Sequence, residues 1–191
     1  LDENGNRMFD YGEYRPNSNA KYNLLASMPH DKSEIKRDAA SLRGFIQITT
    51  IKVLAYNMSL NIDFNNKTNH DYTNPTYGTG SISGGSVSKY NYRTTGMTFN
   101  NVINYQHTFN DVHDIRVMAG QEYYEYNTSN FGGSRSKVIM DGFYEPDAAS
   151  SLGDFGGNSD QSKLLSFFGS AEYSYNQYYV LSASVRSDGS S

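Results

Sequence analysis

The sequence predicts an all-β chain, an antiparallel meander of about six long strands, and three observations predict it. Apolar side chains recur at every second position in several segments. Those segments exceed the roughly 5 to 6 residues of ordinary strands and approach the roughly 9 to 11 of a strand that crosses a bilayer. The connections between them alternate between tight turns and long polar loops, as in a transmembrane barrel with long loops on one side and short turns on the other.

Residues 1–41 are polar and irregular, with turn signals at Asp2-Glu3-Asn4-Gly5 and Pro16-Asn17-Ser18-Asn19, and are expected to be an extracellular loop region. The charged run Asp31 to Asp38 has Ile35 as its one apolar residue, so it reads as a solvated approach to a strand rather than a helix. The partial barrel is expected over 42–191. Its first strand, near 42–50, puts Leu42, Ile46 and Ile48 against Arg43, Gln47 and Thr49, and Ile51-Lys52 reverse the chain.

The second strand, near 53–65, carries the clearest alternation: Leu54, Tyr56, Met58, Leu60, Ile62 and Phe64 oppose Ala55, Asn57, Ser59, Asn61, Asp63 and Asn65. Lys67 to Val87 shows no sustained period and reads as a long loop. A third strand near 88–109 sets Met97, Phe99, Ile103 and Tyr105 against Thr98, Asn100, Asn104 and Gln106; Asn110-Asp111-Val112 then make a turn. The fourth, near 113–127, sets Ile115, Val117, Ala119 and Tyr123 against Arg116, Glu122 and Tyr124. Asn130 to Gln161, with Gly132-Gly133 and Gly156-Gly157, reads as a second long loop.

The last two strands, near 164–175 and 178–188, form a hairpin around Asn176-Gln177. Leu165, Phe167, Ala171, Tyr173 and Tyr175 share one face of the first, and Tyr179, Leu181, Ala183 and Val185 one face of the second. Their opposite faces carry Ser166, Ser170, Glu172 and Ser174, and Ser182, Ser184, Arg186 and Asp188.

This hairpin, Leu164-Leu165-Ser166 through Ser182-Ala183-Ser184 to Arg186, Asp188 and Gly189, resembles the signature barrel hairpin of the SusC/RagA-type TonB-dependent outer-membrane transporters of the Bacteroidetes. Asp2-Glu3-Asn4-Gly5-Asn6 and Gly120-Gln121-Glu122-Tyr123-Tyr124 add to the resemblance, which covers nearly the whole chain and is densest after Thr94. It implies an interior piece of a larger barrel in the Gram-negative outer membrane, since signal peptide, TonB-contacting segment, plug and terminal strand are not seen. It further implies uptake of oligosaccharides or peptides, a SusD-type surface lipoprotein as partner, and energy from the TonB-ExbB-ExbD complex through parts of the protein outside this chain.

Composition fits that expectation. The chain has 191 residues, 37% of them hydrophobic, and a mean hydropathy of -0.68, lean for a core that closes on itself. Seventeen Tyr and ten Phe with no Trp suit a membrane rim or a sugar-stacking wall. The absence of Cys rules out a disulfide framework, and a net charge of -4 without a basic run gives nucleic acid no electrostatic footprint.

No catalytic constellation is legible, so an enzyme is not expected, nor a cofactor. His30, His70, His107 and His113 lack metal-ligand spacing, and the oxygen-rich stretches at Asp2 and Asp154 to Asp160 lack the twelfth-position Glu of a calcium loop. The Asn57, Asn66 and Asn127 sequons carry no weight in a bacterial chain. The candidate ligand-binding residues are Tyr90, Tyr92, Arg116, Glu122, Tyr124 and Tyr126, whose rings stack on ligands and whose charges bond hydroxyls; a girdle role for the tyrosines is the plainer reading. The rival is a soluble secreted β-sandwich, a glycan-binding or adhesin module, which shares the alternation but packs two sheets around a dry core.

Overall fold

A computed structural model describes residues 4–5, 28–51 and 53–191. Most of the expected loop region 1–41, and Lys52 in the first reversal, lie outside the described residues. Among the described residues six strands pair in one antiparallel sheet of order β1-β2-β3-β4-β5-β6. Each strand lies beside its sequence neighbours. One sheet with strictly sequential order is the expected meander and not the two packed layers of a sandwich.

The strands are β1 (Lys32–Ile51), β2 (Leu54–Thr73), β3 (Ser86–Phe109), β4 (His113–Val138), β5 (Ala149–Tyr175) and β6 (Tyr179–Ser190). Their connections, 52–53, 74–85, 110–112, 139–148 and 176–178, run short, long, short, long, short as the sequence predicts. The lengths differ from expectation. β1 starts ten residues before Leu42 and takes in the charged run, so the boundary of the 1–41 loop region falls too late. β2 and β4 run on to Thr73 and Val138, and β5 begins at Ala149, inside stretches expected to be loops.

The reason is chemical. Call face A the side carrying Leu54, Tyr56, Met58, Leu60, Ile62 and Phe64, and face B its opposite. Past Phe64 the face A positions of β2 become Asn66, Thr68, His70 and Tyr72, and past Tyr123 those of β4 become Glu125 and Asn127. Backbone pairing continues where hydrophobic alternation stops. Period-two hydropathy marks the half-apolar part of a strand alone.

Two compact units divide the chain. The second, Ala39–Asn65, Arg93–Thr128 and Ser159–Ser191, contains all of the apolar alternation on face A. Its short turns are closed by pairs of left-handed residues, Asn110 (φ 49) with Asp111 (φ 60) and Asn176 (φ 49) with Gln177 (φ 59), matching the right-handed strand twist as type I′ turns do. Tyr178 N–H reaches Tyr175 O at 3.0 Å, and Asn176 N–H reaches Val112 O at 2.7 Å, so one turn is bonded to the next. Beside them on face A, His113 contacts Tyr173 (Nδ1 to Oη 2.7 Å) and Tyr175, and His107 lies edge-on to Phe109 at 4.3 Å. Rings therefore gather at the short-turn margin of the apolar face, as an interfacial girdle requires.

The first unit comprises the described part of Leu1–Asp38 with Asn66–Tyr92 and Ser129–Asn158. Here 139–148 folds back over face A and is strapped down. The Tyr72 hydroxyl donates to Asp141 Oδ1 at 2.7 Å and the Tyr72 ring meets Tyr144 edge-on at 4.9 Å. His70 Nε2 bonds the Tyr144 carbonyl, Lys89 Nζ holds both Glu145 oxygens at 3.0 and 2.8 Å, and Lys32 Nζ sits 5.0 Å from the Tyr144 ring centre. Tyr72 is 2% exposed, and with Val87, Ala148 and Ala149 it makes the small core of this unit. A short helix α1 (Gly80–Ser83) ends in left-handed Gly84 and Gly85, whose carbonyls accept from Val138 and Lys137.

Burial, and the bond to Asp141, push the Tyr72 phenol up to about 12. A raised folded value means that the neutral phenol stabilises the strap fully below its ordinary value of 10.0 and that this contribution is lost as pH rises through about 12. Lys89 holds the Glu145 carboxyl below its usual range, so that tie is lost only as pH falls through the lowered value. Tyr72→Phe keeps the ring but removes a hydrogen bond to a charged group, worth about 1.5–3 kcal/mol. Amide exchange of 139–148 should accelerate about tenfold or more at neutral pH in that variant, and in the parent chain between pH 10 and 12.

Candidate functional site

The residues that carry chemistry lie on face B, where every second side chain is polar. In the second unit Arg186 is the hub of a cluster spanning three strands. Its Nη2 donates to Glu122 Oε1 on β4 at 3.1 Å and to Ser166 Oγ on β5 at 3.0 Å, and its Nε donates to Asp188 Oδ1 at 2.8 Å. The guanidinium also lies 5.7 Å from the Phe168 ring centre. The β5–β6 register makes this possible, because Ser166 is opposite Asp188 and Phe168 opposite Arg186.

Gly120 completes the cluster. A side chain there would run into the edge of the Phe168 ring, and its Cβ would lie 3.1 Å from Asn101 O. Only glycine lets the ring settle over β4 and face the arginine. Ser166 is fully buried beneath it. The residues that carry the family resemblance, Gly120 and Glu122 in one motif and Ser166, Arg186 and Asp188 in the other, are thus one set of mutual contacts.

Nearer the short turns, Arg116 bonds Glu172 Oε1 at 3.2 Å and Asp114 Oδ2 at 3.1 Å. A trough of about 400 Å³ runs past them, lined by Asn104, Gln106, Ser182 and Ser184 together with Tyr105, Val117 and Met118. Its charges are paired within the wall. Tyr124 and Tyr126 form a stacked pair, ring centres 6.4 Å apart and planes 9° from parallel, and both rings are more than a third exposed.

Of the six expected ligand residues, Arg116, Glu122, Tyr124 and Tyr126 belong to the second unit and Tyr90 and Tyr92 to the first. All six fall at even positions of β3 and β4, on face B. Arg116 and Glu122 are each committed to an ion pair, while Tyr124 and Tyr126 present ring surface. The Arg186 hub escaped the sequence reading, though its residues had been singled out by resemblance; cross-strand register was the missing information.

A half-apolar antiparallel meander with paired charges on one face and rings at the margin of the other defines a segment of a transmembrane outer-membrane β-barrel. No family model matches the chain. It is 25% identical over 186 residues, 94% of its length, to the TonB-dependent receptor P39 of Formosa agariphila, and it spans about 18% of that relative. Among solved structures it is similar to the RagAB peptide transporter (25% identity, TM-score 0.76) and to the RagAB peptide importer in the "closed-closed" state (24%, 0.78) and the "open-open" state (25%, 0.76). Each match covers 85% of this chain and 18% of the other. Over the segment it spans, the chain is similar to the barrels of TonB-dependent receptors and of RagAB transporters.

The Gly120–Phe168 contact gives a direct check. Gly120→Ala should lower the stability of the intact barrel by about 1–3 kcal/mol, the cost of overpacking. Because the clash needs both partners, adding Gly120→Ala to a Phe168→Ala background should cost far less. Urea titration of gel mobility in unheated samples measures both.

Proposed function

We propose that this chain is barrel wall of an outer-membrane importer of oligosaccharides or peptides, one that works with a SusD-type surface lipoprotein and draws energy from TonB-ExbB-ExbD through parts of the protein outside the chain. The observation that carries the reading is the division of the second unit into an apolar face A and a polar face B. Leu54 to Phe64 runs roughly 33 Å along the strand and, at a barrel tilt of about 40°, roughly 25 Å along the axis, the height of a lipid-facing band. Face A then meets lipid and face B the lumen.

Transport on this reading is binding followed by gating, without covalent chemistry. The lumenal wall holds each arginine between two carboxylates and so carries a small negative excess, which disfavours anions and admits neutral oligosaccharides and zwitterionic peptides alike. The solved relatives are described as peptide importers, which supports the peptide. Their open and closed states match the chain about equally, which supports a static wall with the moving parts elsewhere.

Two outcomes test the assignment in the intact protein. Leu60→Arg puts a charge into lipid at roughly 2–4 kcal/mol, whereas Ser59→Arg puts it into a polar lumen at little cost. Assembly yield should therefore collapse in the first variant and persist in the second; equal yields would reverse the faces. Tyr124→Ala removes half of the exposed stack, a loss of about 2 kcal/mol where such an anchor touches ligand. Uptake of a labelled peptide or oligosaccharide should fall with surface expression unchanged, and full uptake of both would leave Tyr124 a girdle residue.

A further inference from the structure

Two Phe-Gly-Gly triplets, Phe131-Gly132-Gly133 on β4 and Phe155-Gly156-Gly157 on β5, face each other in the first unit. Each triplet places its Phe against the last glycine of the other. A Cβ at Gly133 would lie 2.9 Å from Phe155 Cδ2, and one at Gly157 would lie 3.1 Å from Phe131 Cβ. Asn130 and Asn158 bond side chain to side chain at one end of the pair. The rings are fixed on strands, not on a loop, yet stay open to solvent: Phe131 is 59% and Phe155 75% exposed.

Beside them is a cavity of about 460 Å³, within the roughly 300–1,000 Å³ of small-molecule sites. Phe131, Phe155, Leu152 and Pro146 supply its apolar walls. Lys89, held by Glu145, and Arg135, held by Asp147, supply its charged groups, each cation with its own carboxylate. Arg135 Nη1 is steadied by Asp147 Oδ1 at 3.6 Å and the Ala149 carbonyl at 3.5 Å. Lys89, Phe131, Arg135 and Phe155 occupy odd positions, on face A, whereas Tyr124 and Tyr126 occupy face B.

We propose that this cavity is a second binding site, for a short neutral oligosaccharide held on the outer wall rather than in the lumen. Exposed rings stack on the C–H faces of sugars, and carboxylates and cations at one rim both accept from and donate to hydroxyls. The balanced charge gives no pull on a polyanion or a polycation. A wholly apolar occupant would leave the charged rim without a ligand partner. A sugar satisfies both halves of the lining. Such a site keeps glycan at the wall without sending it through; its placement outside the lumen rests on the face assignment of the transport reading, whereas its binding test does not.

The test uses the intact transporter in a zwitterionic detergent without a sugar head group, titrated calorimetrically with maltohexaose, cellohexaose and xylohexaose. The Tyr124→Ala background silences the face B stack. At least one of the three should bind there, and adding Phe155→Ala should weaken it by at least about tenfold. Phe155 is mostly exposed, so unheated gel mobility should stay normal; if it does not, Leu152→Ser carries the same expectation. Absence of binding by all three sugars, or binding indifferent to both substitutions, overturns the proposal. Photo-crosslinking from position 155 to a protein in place of sugar overturns it as well.

Discussion

A peptide group buried in hydrocarbon has no water to bond, and every other feature of this chain follows from that constraint. Antiparallel pairing with each sequence neighbour satisfies backbone donors and acceptors along the length of β2 to β5. Once pairing is fixed, side chains have only two directions to take, and the sequence sorts them by solvent. Leu54, Met58 and Leu60 go one way, Asn57, Ser59 and Asn61 the other. Charges are admitted on the polar side, and there each arginine sits between two carboxylates: Arg186 with Glu122 and Asp188, Arg116 with Asp114 and Glu172.

The same constraint decides what was legible. Strand existence, order and the short-turn positions follow from alternation and from Asn110-Asp111 and Asn176-Gln177, because each is a local signal. Strand length does not. Beyond Phe64 and Tyr123 both faces are polar, so the chain keeps its ladder while losing its period, and the ladder alone is invisible in sequence. The Phe-Gly-Gly triplets misled for a related reason: glycine doublets mark loops in most chains, but here they let two strands and two rings approach closely.

Site residues were legible as a face and not as partners. Parity along β4 put Arg116, Glu122 and Tyr124 on one side, and the even positions of the β4 ladder hold all three. Parity is silent on register, however. That Glu122 is taken by Arg186, sixty-four positions away, depends on which residue of β5 stands between them. The Gly120 requirement is of the same kind, since it answers to a ring on another strand.

The sequential strand order bears on how such a wall is made. Every pairing joins neighbours in sequence, so contact order is low and no pairing waits for a distant part of the chain. The connections at 52–53, 110–112 and 176–178 close the smallest loops and ask the least entropy, which favours hairpins β1–β2, β3–β4 and β5–β6 as the earliest pieces. Growth then proceeds edge by edge, because each completed hairpin offers the unpaired backbone groups of its last strand to the strand that follows it in sequence.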